Sequence, residues 1–444
     1  MSLWKEILVA ALLASIAEAQ PRFKALVGGT LIDGYGASPI RNSVIIIEGE
    51  RIVEVGQVGK TRIPDGAEVI STAGMSVLPG LWDMHVHLDI NGHADYDHWD
   101  KTYPPQMESV IMPASAKQLL LAGVTSARDL GGPLEPSIHV RDRIRQGKLD
   151  GPTLYVSGPF LQHAAYPGTD YFRWGVKGAD DARAKVQKLA TAGVDVIKMI
   201  DQDEMTMEEV QAVVDEAHAH KLTVVAHAHR PEEIRRGLKA GVDCFEHTGM
   251  ATAPEYPEDV IRAIRERTAR GNLPPLFWTP TISVLYNYPY LRDHPDVIGD
   301  PAWQSGLTAE IVSDIKQSLA HPDRLPYYQM VASRFPTLPR KFQQLRDTGV
   351  VMLIGTDSGV PMNFHSQSTW NELDVWVNHL GVSAMDAIRA ATFWPAVIMR
   401  AEKDSGTVSE GKYADVIAVR GDVLRHIELL RQPELVMKHG RRYK

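Results

Sequence analysis

The stretch DDARAKVQKLATAGVDVIKMI, Asp180 to Ile200, decides the fold. Val186, Leu189 and Ala190 fall at helical spacing, Gly193 stands where a helix ends on a left-handed residue, and a β-rich run follows. The same join recurs at Gly123 in LLLAGVTSARDL, at Gly241 in GLKAGVDCFEHTG and at Gly349 in LRDTGVVMLIGTDSG. Repeated helix-glycine-strand joins imply right-handed βα units and a parallel sheet. No G-x-G-x-x-G follows a strand, which argues against an open dinucleotide-binding sheet. The sequence reads as eight strands: Val77 to His87, Val124 to Leu130, Thr153 to Gly158, Asp195 to Ile200, Thr223 to His227, Cys244 to His247, Phe277 to Ile282 and Val351 to Thr356. Eight parallel strands alternating with helices predict a closed (β/α)8 TIM barrel over residues 77–402.

The two ends have another texture. KALVGGTLIDGYGASPIRNSVIIIEGERIVEVGQ and SGTVSEGKYADVIAVRGD alternate short β-rich runs with Gly, Asp and Asn turns. Residues 20–76 and 403–444 are therefore expected to form one small β-sandwich domain from both chain ends. Residues 1–19 carry Lys5, a short apolar core and Ala17-Glu18-Ala19, the order of a cleavable secretory signal. Export to the periplasm or the medium is expected, with a cytoplasmic location if the leader is retained. No other segment reads as a membrane span.

Of the 444 residues 44% are hydrophobic and 23% charged, a balance that can bury a sizeable core. The net charge of -8 and the lack of a basic run exclude a nucleic-acid footprint, so the expected partners are a small-molecule substrate and further copies of the chain. The single cysteine, Cys244, excludes intrachain disulfides and cysteine-rich zinc sites.

In a barrel the chemistry sits at the C-terminal ends of the strands. Those ends carry His85 and His87 on strand one, Lys198 on strand four, His227 on strand five, His247 on strand six and Asp357 after strand eight. The alternation of a strand puts both imidazoles of His-x-His on one face. Such donors converging on one rim point to a metal site. Lys198 stands in the apolar run VDVIKMI, where burial beside cations favours the neutral amine. A neutral amine can add carbon dioxide to become a carbamate, an anionic ligand able to bridge two metals. His229 would share a face with His227 but lies just past the predicted strand end, and it reads as a loop histidine. His218 and His220 belong to a helix capped by Thr206 and Glu209, while His93 and His98 lie in a polar loop.

HVH, the strand-four lysine, the histidines of AHAHR and FEHTG and the aspartate of GTDSG resemble the amidohydrolase superfamily, in particular its imidazolonepropionase-like and prolidase-like metal-dependent hydrolases. The resemblance implies that His85, His87 and Asp357 hold one divalent metal, that His227 and His247 hold the second, and that a carboxylated Lys198 bridges them. Zinc suits imidazole and carboxylate ligands. It further implies hydrolysis of an amide-like C–N bond by a metal-bridging hydroxide, with Asp357 carrying a proton to the leaving nitrogen. N-acyl amino acids, dipeptides and related amides are the expected substrates.

His163, after strand three, is the candidate contact to the substrate carbonyl. FWTPTISVLYNYPYL supplies Tyr286 and Tyr288 as candidate pocket walls, and Arg128, Arg173 and Arg230 are candidates for a substrate carboxylate. A phosphotriesterase or lactonase would use the same centre and is the alternative. A deaminase of the same superfamily usually lacks the bridging lysine, and a non-catalytic scaffold would not be expected to keep every ligand.

Overall fold

A computed structural model describes residues 22–248, 252–271, 273–321 and 326–444, so the leader read from residues 1–19 lies outside the described residues. The barrel strands are Leu81–Val86, Val124–Asp129, Thr153–Val156, Val196–Met199, Thr223–His227, Cys244–Glu246, Phe277–Thr279 and Val351–Met352, and six of the eight neighbouring pairs form parallel ladders. Backbone hydrogen bonds close the ring at both seams. Asp195 N–H donates to Val156 O at 2.8 Å between strands three and four. Met84 N–H donates to Ile354 O at 3.0 Å, and His87 N–H to Ser358 O at 2.8 Å, between strands one and eight. The expected barrel is thus present, and its first and last strands are knitted together at the residues that carry the candidate ligands.

The glycine joins behave as their sequence implies. Helix Ala179–Ala192 ends on Gly193 at φ 87°, and helix Pro231–Ala240 ends on Gly241 at φ 94°, both left-handed positions that favour glycine. Helix Met207–Ala219 begins on the Thr206 and Glu209 capping box.

One expected strand is divided. The run from Val77 to His87 is two strands, Met75–Pro79 and Leu81–Val86, that belong to different sheets. Met75–Pro79 pairs antiparallel with Val416–Arg420 in the terminal domain, whereas Leu81–Val86 pairs with Val124–Asp129 in the barrel. The chain passes from one to the other at Gly80, where a Cβ would stand 2.1 Å from Thr125 Oγ1. The terminal domain therefore reaches Pro79, beyond the expected boundary at residue 76.

That domain is a sandwich of a four-stranded and a five-stranded sheet. Leu26, Ile45 and Ile47 from one sheet meet Val77, Val416 and Met437 from the other in a single buried cluster. Two further features position the site. After strand three the chain adds a short parallel pair, Phe160–Gln162 and Arg173–Gly175. Between strands seven and eight it makes a helical excursion, including Ser283–Asp293, Ala309–Ser318 and Leu338–Arg346, that roofs the barrel mouth.

Candidate metal centre and cavity

His85, His87 and Asp357 bring donor atoms within 4.8 Å of one another. His87 Nε2 is 3.0 Å and His85 Nε2 3.5 Å from Asp357 Oδ1. His227, His229 and His247 form a second group within the same limit. The groups adjoin, since the His85 and His247 ring centroids are 4.8 Å apart. Lys198 is fully buried among them, and its Nζ has no hydrogen-bond partner. Buried Nε2 of His85, Nδ1 of His227 and Nδ1 of His229 also lack one. Leaving polar atoms buried without partners is costly, and their convergence makes this a candidate cation site.

Electrostatics agree. Burial, reinforced by Lys198, pushes the His85 and His227 imidazoles well below their usual range, and burial beside His229 does the same to His247. Burial also lowers Lys198 to about 8, with Arg128 adding to the effect against the pull of Glu246 and Asp357. Neutral imidazoles and an accessible neutral amine are what metal ligation requires. His247 and Asp357 hold positive φ, 74° and 58°, strained values for non-glycine residues at the strand ends where function is concentrated.

A charged network underneath orients this rim. Glu246 Oε2 is 2.8 Å from His85 Nδ1, so a proton on Nδ1 leaves Nε2 free as a ligand. Arg128 donates from Nη2 to Glu246 Oε1 at 2.6 Å and from Nε to Met84 O at 2.8 Å. His247 Nδ1 is held by Thr281 Oγ1 at 2.8 Å. Asp83 accepts from Thr356 Oγ1 and Thr369 Oγ1, each at 2.7 Å, and so ties the strand bearing His85 to the segment entering Asp357. Arg128 and Glu246 are both fully buried. Arg128→Leu therefore strands the Glu246 carboxylate, and a loss of about 3–5 kcal/mol is expected in urea unfolding. A change below about 1 kcal/mol would mean that Glu246 is neutral without its arginine.

The model of the amidohydrolase family matches residues 76–292 and 336–442. This chain belongs to the amidohydrolase family. It is 26% identical to the ochratoxinase of Aspergillus niger over 451 aligned residues, spanning 92% of this chain and 83% of that protein. A Xaa-Pro dipeptidase with bound methionine in its active site superposes with a TM-score of 0.73 at 26% identity, covering 95% of this chain and 100% of that one. A putative prolidase from Bifidobacterium longum gives 0.71 at 26% identity, with 96% and 95% covered. This member of the amidohydrolase family is accordingly a hydrolase with the barrel and appended domain of its relatives.

The amidohydrolase cavity, about 380 Å³, opens on both groups of candidate ligands and is lined by His87, His227, His229, His247 and Asp357. Its remaining wall is largely apolar and includes Phe160, Phe172, Ile282, Leu285, Tyr288 and Leu338. Other expectations are corrected. His163 is exposed and does not line the cavity, because Phe160 takes the rim position in front of His87, with ring centroids 6.0 Å apart. Arg128 is not a substrate residue, since Glu246 consumes it below the site. Arg230 is held outside the cavity by Asp203, Asp201 and Glu233. Tyr286 turns away and packs on Phe335 and His379.

His229 is the reverse case. The fifth strand ends at His227, but Ala228 N–H beyond it still donates to Glu246 O at 2.9 Å, and His229 lines the cavity from this position just past the strand. Its ring stacks on His247 at 4.4 Å between centroids, and burial lowers it to about 3.

Proposed function

We propose that this chain is a binuclear metal-dependent hydrolase that cleaves an amide-like C–N bond in an N-acyl amino acid, dipeptide or related small molecule. The observation that carries the reading is the buried, unpartnered Lys198 between two groups of metal-ligating side chains. His85, His87 and Asp357 would hold one ion, His227 and His247 the other, and a carboxylated Lys198 would join them. The relatives support the substrate class: one is named an ochratoxinase, one a putative prolidase, and one is a Xaa-Pro dipeptidase found with methionine in its active site.

Divalent ions, with zinc the best match to these donors, supply an activated water and polarise the carbonyl when bound. The residues of the chain do the rest. Glu246 and Thr281 fix the tautomers of His85 and His247. His229 presents a neutral imidazole to the cavity, suited to donating a hydrogen bond to a carbonyl oxygen. Asp357 faces the cavity as the carboxylate that takes a proton from water and returns it to the leaving nitrogen. The helical roof, with Leu285, Tyr288 and Leu338, limits access of bulk water and favours an apolar group beside the scissile bond.

Protein grown with added zinc is expected to hold close to two divalent ions per chain by elemental analysis, and to release benzoate from N-benzoyl amino acids. Trace metal only would overturn the binuclear reading. Cleavage of lactones or phosphotriesters in preference to every amide would assign the same centre to the other electrophile.

A further inference from the structure

We propose that Arg173 is the specificity residue of this cavity, and that it selects amides carrying a free carboxylate near the scissile bond. The inference rests on the amide-hydrolase reading and adds to it the feature of the substrate that this chain recognises. Arg173 lies on the short extra strand Arg173–Gly175, which pairs with Phe160–Gln162 and brings its side chain to the cavity wall. The guanidinium carbon is 5.3 Å from the Phe160 ring centroid, 4.8 Å from that of Phe172 and 4.7 Å from that of Tyr166. Aromatic faces surround the cation, an arrangement that fixes its plane without using its N–H groups.

The donors themselves are largely unspent. Nη1 gives one hydrogen bond to Gln162 Oε1 at 3.2 Å, while the buried Nε has no partner. Among the described residues no carboxylate makes an ion pair with Arg173, in contrast to Arg128, Arg141 and Arg230, each of which is engaged by at least one carboxylate. An arginine that lines a cavity and has no carboxylate contact is a ready receptor for one, because the planar fork matches two oxygens at once. Phe160 lies between Arg173 and His87, which sets the receptor one aromatic ring away from the metal-ligating rim.

Two acids share the cavity wall and sharpen the argument. Asp100 accepts a hydrogen bond from Tyr171 Oη at 2.9 Å, and Asp89 is buried. Both feel Arg173 only through longer-range attraction. A neutral substrate gains nothing from an unspent cation in this position, whereas a carboxylate completes its hydrogen bonds. Carboxylate and carboxamide forms of one substrate therefore differ most at Arg173.

The experiment uses the metal-loaded full chain with N-benzoyl-leucine and its C-terminal carboxamide, following release of benzoate. The wild type is expected to favour the acid by about 10–10² in kcat/KM, expressed mainly in KM. Arg173→Met is expected to lower the acid-to-carboxamide ratio by a similar factor at unchanged metal content, and Arg173→Lys to retain part of the preference. An equal ratio in wild type and Arg173→Met, or no preference in the wild type, overturns the assignment and leaves the hydrolase reading standing.

Hydrolysis of neither compound by protein holding two metals per chain would count against the hydrolase reading instead. Calorimetric titration with N-benzyl-leucine, which has no carbonyl to attack at the amine, then decides Arg173 alone. Tighter binding than its carboxamide in the wild type but not in Arg173→Met supports the receptor, and equal binding in both proteins refutes it.

Discussion

Lys198→Met is expected to remove turnover by about 10³-fold or more, the equivalent of about 4 kcal/mol of transition-state stabilisation, and to lower metal content below two ions per chain. Methionine keeps most of the lysine stem volume and suits the buried site, so the barrel should fold. What it cannot do is react with carbon dioxide, so the proposed joint anionic ligand is lost. The buried amine is prepared for that reaction. Burial lowers Lys198 to about 8, so far more of it is neutral near pH 7.5 than of an ordinary lysine. Since only the neutral amine adds carbon dioxide, reloading of metal-stripped protein with zinc should be faster when bicarbonate is present. It should also accelerate as pH rises through about 8. Reloading that is indifferent to bicarbonate, together with full metal content in Lys198→Met, would remove the bridging role and leave Lys198 as a buried amine.

Much of this centre is legible in the sequence because a strand has a simple period and a barrel has a known active face. His85 and His87 share a face at the end of Leu81–Val86, and Lys198, His227 and His247 stand at or beside equivalent strand ends. Three features were less accessible, for separate physical reasons. The division at Gly80 is missed when Val77 to His87 is read as one strand, although Pro79-Gly80 is itself a turn signal, and the closeness of Thr125 shows that residue 80 has no room for a side chain. The Arg128 and Glu246 pair joins strands two and six inside the barrel, a meeting that no local spacing records. Each looks like a surface charge or a substrate contact until the partner is seen.

His229 is underrated in the sequence, whereas Arg173 is singled out there as a carboxylate candidate without an element to place it. His229 does lie just past the strand end at His227, as expected, but the bond from Ala228 N–H to Glu246 O holds that segment against strand six and leaves His229 lining the cavity. Arg173 stands outside every predicted element, because the strand carrying it is three residues long and exists by pairing with Phe160–Gln162. His163 shows the converse error. Position after a strand suggests a rim residue, but the next short strand gives the rim to Phe160 and turns His163 outward.

Asp357→Asn is expected to separate proton transfer from ligation. Asp357 holds a left-handed backbone, φ 58°, and its N–H donates to His85 O at 2.7 Å. Asparagine tolerates that conformation better than most residues, so the segment joining strands eight and one should keep its shape. Its amide oxygen can still coordinate weakly, and part of the metal should remain. Turnover should nonetheless fall by about 10² to 10⁴, the usual worth of a general acid or base. Wild type and variant must be compared at matched metal content, because an empty site would imitate a catalytic defect. The informative measurement uses two substrates with the same acyl group, one losing an alkyl amine and the other an activated anilide. A basic amine leaves only once it receives a proton, whereas an activated aniline leaves with little help. If Asp357 delivers that proton, the variant loses far more on the alkyl amide than on the anilide. Equal losses on both would confine Asp357 to holding metal and positioning water, and the proton for the leaving nitrogen would have to come from another cavity group such as His229.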